Sequence, residues 1–253
     1  MTDSLSITIV MPAFNEQKNI ELSISNSLQA IDDFALDGEL ICVNDGSSDE
    51  TLKIIKKCRN IDKRIKVISH PSPRGFGVSF WDGVDKAKNE IVVVMPGDNE
   101  NDPWEILRYI YLLKDVDIVI PFVFNAAVRP RYRVLVSSLY RFIVNFTFMT
   151  SFNYTNGTVL YRKRLLLDLA FRSGGFFFQT DILIRLVKMG YLFAEVPYRL
   201  GFSDDKVSNA ISFPSLAQVI RGYLVLLWDI YCKRVVRKHA VGSATLSRYK
   251  DTN

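Results

Sequence analysis

The chain has 253 residues, a formal charge of +5 and a nearly even split between apolar and other residues, with charged side chains near a quarter. That composition fits one large α/β domain and excludes a disordered or low-complexity chain. Three cysteines, Cys42, Cys58 and Cys232, are too few and too far apart for a metal cluster or a disulfide framework, and they point to a reducing compartment.

The N-terminus lacks a basic stretch followed by a long apolar one, so no signal peptide is expected. The apolar runs fall short of the ~20 residues a membrane-spanning helix needs, which predicts a soluble or peripheral protein. The residues around 6–12, "SITIVMP", read as a strand, and Ile20, Ile24, Leu28 and Ile31 follow at helical spacing. "ELICVND" is a second strand, Leu52, Ile55 and Cys58 mark a helix, and "IKVISH" is a third strand. A helix is predicted over about 78–88, then the strand "EIVVVMP", then a helix through Ile106, Ile110 and Leu113 leading to the strand "VDIVIPF". This alternation predicts right-handed crossovers and a mainly parallel sheet covered on both faces.

After about residue 125 the texture changes. An apolar helix is predicted over 134–149, an amphipathic one over 214–238 ending in "CKRVVRK", and "FAEVPYRL" reads as a short strand. The tail from 239 is polar and expected to fray. No repeat or linker divides the chain, so 1–238 is read as a single domain, with a nucleotide-binding half to about 124 and an acceptor-side half beyond it. Asn145, Asn153 and Asn156 each begin an Asn-x-Thr triplet, which matters only in a secreted protein and is read as chance.

In a parallel α/β sheet, ligands bind beyond the carboxyl ends of the strands, and four polar turns fall there: "PAFNE", "NDGSSDET", "HPSPRGFG" and "PGDNEND". In the second, Asp45 suits a base N–H or ribose hydroxyl, while Gly46 and two serines make the turn and Asp49 or Ser48 caps the next helix. In the third, Gly75, Gly77 and Arg74 suit a phosphate, although such a sequence also serves as a plain strand-to-helix turn. In the fourth, Asp102 and Pro103 form a helix start, whereas Asp98 and Glu100, two apart after a turn, suit one hard divalent cation. The basic residues are not interleaved with exposed aromatics in the manner of a nucleic-acid surface, so no nucleic-acid partner is expected.

Taken in order, "IVMPAFNE", "VNDGSSDET", "RGFGVSFWDGVDKAKNEIVVVMPGDNEND" and "FQTDIL" resemble the inverting glycosyltransferases of family 2, which have the GT-A fold. With "NGTVLYRKR", the likeness is to dolichol-phosphate-mannose and polyprenyl-phosphate-sugar synthases, and it covers about residues 5–210. The resemblance implies that Pro12, Phe14, Asn15 and Glu16 line the base and ribose of a UDP- or GDP-sugar opposite Asp45, Gly46 and Ser47, with Gly75, Gly77, Pro96 and Gly97 near the nucleotide. It implies Asp98 and Glu100 as ligands of Mg²⁺ or Mn²⁺. The family's two-acid motif is changed here, since Pro96 replaces its first acid, and Asn44 replaces another in the "DDGS" turn. Asp181 matches the family's acceptor-side carboxylate and, with Asp98, is the catalytic candidate; a helix N-terminal acid serving the dipole is the other reading of Asp181. Arg129, Arg131, Arg133, Lys206 and Ser208 are candidates for an acceptor phosphate. The implied activity is hexosyl transfer to a lipid-linked acceptor, with polyprenyl phosphate first, in the cytoplasm or on the inner face of its membrane. Transfer to a sugar hydroxyl, or nucleotide-sugar binding with little turnover, are the alternatives.

Overall fold

A computed structural model describes residues 5–125, 131–199 and 213–233. Seven strands form one sheet: β1 (Ser6–Ala13), β2 (Asp37–Asn44), β3 (Ile65–Ser69), β4 (Ile91–Val94), β5 (Ile118–Val123), β6 (Leu160–Arg162) and β7 (Phe193–Tyr198). Their order across the sheet is β3-β2-β1-β4-β6-β5-β7. All neighbours pair in parallel except β6, which runs antiparallel to both β4 and β5.

The near-continuous apolar runs of β1 and β4 follow from burial on both faces. Ile7, Ile9 and Met11 of β1 join Ile91, Val93 and Met95 on one side, while Val10 joins Val92 and Val94 on the other. Alternate side chains of a strand point to opposite faces, so each face needs its own apolar cover. On the first face lie α1 (Ile20–Asp33), α2 (Thr51–Ile61) and α4 (Pro103–Leu107), contributing Ile20, Ile24, Ile31, Ile55 and Ile106. On the second lie α3 (Phe76–Lys86), α5 (Arg131–Phe148), α6 (Lys163–Leu167), α7 (Phe178–Lys188) and α8 (Phe213–Leu227), contributing Phe80, Val144, Leu166, Ile182 and Leu226. Truncating the fully buried Val93 to Ala removes two methyl groups from the middle of the sheet and costs about 2 kcal/mol.

Most predicted elements are present at the expected places. The helix expected through Ile106, Ile110 and Leu113 is instead broken into α4 and a 3₁₀ turn over Ile110–Lys114. All three side chains are still fully buried, and the tighter turn keeps them on the sheet. The helix expected over 214–238 is α8, followed by a π-helical turn over Trp228–Cys232; residues 234–238 lie outside the described residues. Among the described residues, no helix is long and apolar enough to cross a membrane.

Candidate active site

The four rim turns converge as expected, and three of them are laced together by their own side chains. Asn15 sits in the left-handed region with φ 55°, which turns its side chain onto the neighbouring loop. Its Oδ1 accepts from the Ser48 backbone N–H at 2.9 Å, and its own N–H donates to Ser47 Oγ at 3.0 Å. The Glu16 N–H donates to Thr51 Oγ1 at 2.8 Å. Asp49 accepts from the Thr51 N–H at 3.0 Å and from the Gln17 N–H at 3.2 Å, so it ties the first loop to the second; the N-cap of α2 is Glu50 and not the expected Asp49 or Ser48, although Asp49 holds the first N–H of the helix. This lacing leaves Phe14 projecting from the loop, 49% exposed.

Asp45 joins the second turn to the third. Its Oδ1 lies 2.7 Å from His70 Nδ1 and accepts from the Arg74 N–H at 2.8 Å, while Oδ2 accepts from the Gly75 N–H at 2.8 Å. Burial raises its pKa, but the His70 and backbone donors outweigh burial and hold the carboxyl below its usual range. His70 Nε2 in turn lies 2.9 Å from Asp82, which also accepts from Arg74. The carboxylate expected to face a ribose or base is therefore engaged by three donors of the protein itself.

The glycines divide by cause. Gly46 has φ +70°, and a Cβ there would meet the backbone of Ser72 and Pro73 at 2.5–2.7 Å. A Cβ on Gly77 would meet the Gly174 backbone at 2.7 Å, so this glycine lets α3 approach the loop before α7. A Cβ on Gly75, which has φ +100°, would meet the Gly174 carbonyl oxygen at an ordinary contact distance of 3.7 Å, so this glycine is needed for its conformation. The Gly97 N–H donates to the Pro12 carbonyl at 3.0 Å, joining the fourth turn to the first.

A cavity of about 200 Å³ opens beyond β4. Its lining draws Pro96, Asp98, Glu100 and Asn101 from the fourth turn, Tyr154, Asn156 and Thr158 from the segment before β6, and Gln179 from α7, together with Phe76 and Tyr198. Among the described residues, Asp98 and Glu100 are the charged side chains lining it, and Asp98 Oδ1 accepts from the Glu100 N–H at 3.0 Å. Among the described residues, no group of three or more His, Cys, Asp or Glu side chains is gathered as a metal site. Two carboxylate-bearing residues lining one cavity still suit a hard cation that takes its other oxygens from a bound diphosphate. Asp102 caps α4, accepting from the Trp104 N–H at 2.9 Å, as its place before Pro103 predicts.

Asp181 is not in the cavity lining. It is 1% exposed on α7, with Oδ2 accepting from Arg185 Nε at 3.0 Å, and Arg185 Nη2 donates to Asp229 at 2.8 Å. Burial pushes its carboxyl up to about 6 against the pull of Arg185. From the same turn Gln179 faces the cavity, its Nε2 donating to the Gly157 carbonyl at 2.5 Å. Tyr154, Asn156, Thr158 and Gln179 line the cavity without being candidates from the sequence, although Asn156 and Thr158 lie in "NGTVLYRKR" and Gln179 in "FQTDIL", two stretches that carry the family likeness. Thr158 is 2% exposed, and among the described residues its hydroxyl has no hydrogen-bond partner. Asn44 is likewise buried, donating to Ser69 Oγ, while its Oδ1 has no partner among the described residues. Arg129, Lys206 and Ser208 lie outside the described residues; Arg131 and Arg133 fall on the first turn of α5, and their side chains are likewise outside.

The family model described as "Glycosyl transferase family 2" matches residues 8–181, more than half of the chain. The chain belongs to glycosyl transferase family 2. An uncharacterized glycosyltransferase of Synechocystis is 30% identical over 100 residues, covering 40% of this chain and 31% of that protein. The undecaprenyl-phosphate 4-deoxy-4-formamido-L-arabinose transferase of Proteus mirabilis is 27% identical over 106 residues, 41% of this chain and 32% of its own. The chain thus matches about a third of the length of these curated relatives. Glucosyl-3-phosphoglycerate synthase from Mycobacterium tuberculosis, solved with Mn²⁺, UDP-glucose and phosphoglyceric acid, superposes with a TM-score of 0.65 at 21% identity, over 88% of this chain and 79% of that one. The family 2 fold expected from the sequence, a mainly parallel GT-A sheet flanked by helices, is the one observed.

Proposed function

We propose that the chain is an inverting hexosyltransferase that moves a sugar from a UDP- or GDP-sugar to a lipid-linked acceptor, polyprenyl phosphate, at the cytoplasmic face of a membrane. The observation that carries this reading is the cavity at the strand ends, which Asp98 and Glu100 line together with the neutral amides and hydroxyls of Tyr154, Asn156, Thr158 and Gln179. The carboxylates suit a diphosphate held through Mg²⁺ or Mn²⁺, and the neutral hydrogen-bonding groups suit the hydroxyls of a sugar. The exposed Phe14 supplies a face for the base. When bound, the divalent ion neutralises the charge that develops on the departing nucleoside diphosphate. The acceptor attacks the anomeric carbon from the opposite side, which inverts its configuration.

The placement of Asp181 favours a phosphate acceptor over a sugar hydroxyl. A hydroxyl needs a general base at the cavity, whereas Asp181 is held by Arg185 behind the lining; a phosphate is already anionic and needs none. The undecaprenyl phosphate in the name of the Proteus relative supports a lipid phosphate, and the UDP-glucose bound by the mycobacterial synthase, whose other bound molecule is phosphoglyceric acid, supports a UDP-sugar donor.

The test is thermal stability with UDP, GDP and their sugars, with and without Mg²⁺ or Mn²⁺, followed by transfer assays with polyprenyl phosphate in detergent. A metal-dependent rise for one nucleotide, lost in Asp98→Ala, and transfer to the lipid phosphate are expected. A nucleotide shift without turnover on any acceptor favours the binding-protein reading, for which Pro96 and Asn44 in place of acids would account. No shift with any nucleotide sinks the proposal.

A further inference from the structure

We propose that the outer faces of α5 and α8 form one docking surface for an anionic lipid bilayer, on which the protein lies without crossing. It deepens the membrane-surface part of the proposed function and stands apart from the transfer reaction itself. On α5, Val144 and Phe148 are buried, whereas Leu139, Phe142, Phe146 (77%) and Met149 (83%) project outward at intervals of three and four residues. The rings of Phe142 and Phe146 stack on each other at the surface, 6.0 Å between centroids. On α8 and the turn after it, Leu226 is buried while Ile220, Leu224 and Trp228 (56%) are exposed at four-residue spacing. The two helices meet where the hydroxyls of Thr147 and Tyr223 lie 2.6 Å apart and the Tyr231 hydroxyl donates to the Thr147 carbonyl. The exposed apolar side chains of both helices thus flank one contact, and apolar groups gathered on a surface in this way mark an interaction site.

Charge selects the occupant. Among the described side chains of residues 131–149 and 213–233 the basic ones are Arg141, Arg221 and Lys233, and the one acid, Asp229, is buried against Arg185. An apolar helix face with aromatic side chains and an excess of basic over acidic residues is the pattern of an interfacial helix on anionic lipid. A second copy of the same basic face would be repelled. The surface is also wired to the cavity: the Tyr140 hydroxyl on α5 lies 2.7 Å from Thr180 Oγ1, which is 3.1 Å from Oδ1 of the lining residue Asn156. A lipid-borne acceptor would enter from the plane on which α5 rests.

The test is co-flotation of the full chain with vesicles of phosphatidylcholine alone and of phosphatidylcholine with phosphatidylglycerol. Binding is expected only with the anionic lipid, and to weaken as salt rises. In the double variant Phe146→Glu with Leu224→Glu, partitioning should fall roughly tenfold or more, because two buried apolar anchors become charges. Ile61→Glu, equally exposed at the far end of α2, should leave it unchanged. Failure of the wild type to bind the anionic vesicles, or equal binding by the double variant, overturns the proposal. So does a wild-type dimer in sedimentation that the double variant dissociates, since the face would then belong to a second copy. Melting with and without nucleotide, measured on the same proteins, shows that the double variant is folded and keeps failure of docking distinct from failure of the donor reading.

Discussion

Asp181 and Arg185 stand one turn apart on α7, 3.0 Å from carboxylate to guanidinium, and both are almost wholly buried. Since Asp229 closes the cluster from the turn after α8, the pair fastens the cavity helix to the outer one. Arg185→Ala would leave two buried acids without their cation and should cost roughly 3–5 kcal/mol in urea unfolding.

The pH dependence of this cluster has a definite sign. The folded-state pKa of Asp181, about 6, lies above its ordinary 3.8, so the folded form binds the extra proton between these values. The stability this group contributes is fully present below 3.8 and is lost as pH rises through about 6. Unfolding free energies from pH 4 to 7 should therefore show wild type losing ground against Asp181→Asn by a few kcal/mol, on the order of what such a displacement is worth. A difference independent of pH would mean that Asp181 is already ionised at pH 4.

Asp45 has the opposite sign. Its folded pKa is depressed by His70 and two backbone N–H groups, so its contribution is present above the ordinary carboxylate value and is lost as pH falls through the lower, folded one. Asp45→Ala leaves three donors without their acceptor and should destabilise by roughly 2–4 kcal/mol. Because the released Arg74–Gly75 backbone belongs to the phosphate-side turn, nucleotide affinity should fall as well, read as a smaller melting shift with ligand.

Asp98→Ala removes the acceptor of the Glu100 N–H in a turn at the cavity and should lower apo stability by about 1 kcal/mol. Transfer should fall by roughly a hundredfold or more if this carboxylate holds the ion at the leaving group. Loss of stability with transfer intact would make it a turn residue only.

Gly77→Ala separates packing from ligand binding. The added methyl would sit 2.7 Å from the Gly174 backbone, and because backbone cannot rotate away, about 1–3 kcal/mol of stability should be lost in thermal unfolding. Gly75→Ala makes only an ordinary contact, 3.7 Å from the Gly174 carbonyl oxygen, and instead bears the cost of positive φ, about 1–2 kcal/mol.

The sequence was most legible where physics acts locally. The doubly buried runs of β1, β2 and β4, and the cap at Asp102 with Pro103, are set by neighbours in the chain, and each lies where expected. Strand β6 was not legible as a strand: three residues carry no periodicity, and its pairing with β4 and β5 is decided across the sheet. The phase of α7 was hidden for the same reason. "FQTD" contains both a cavity-facing Gln179 and an inward Asp181, and which one turns toward the cavity depends on how α7 packs against Asp229 of a distant segment.

Strand β6 has a consequence for how the chain assembles. The first four strands pair among themselves, but the free edge of β4 waits for residues 160–162, about 65 positions later in the chain, which also supply β5 with its partner. Until then both edges offer unpaired backbone to any passing strand. Closing so long a loop is slow, so folding should end with this three-residue clasp, and a fragment stopped near residue 124 should aggregate instead of forming a separable nucleotide-binding half.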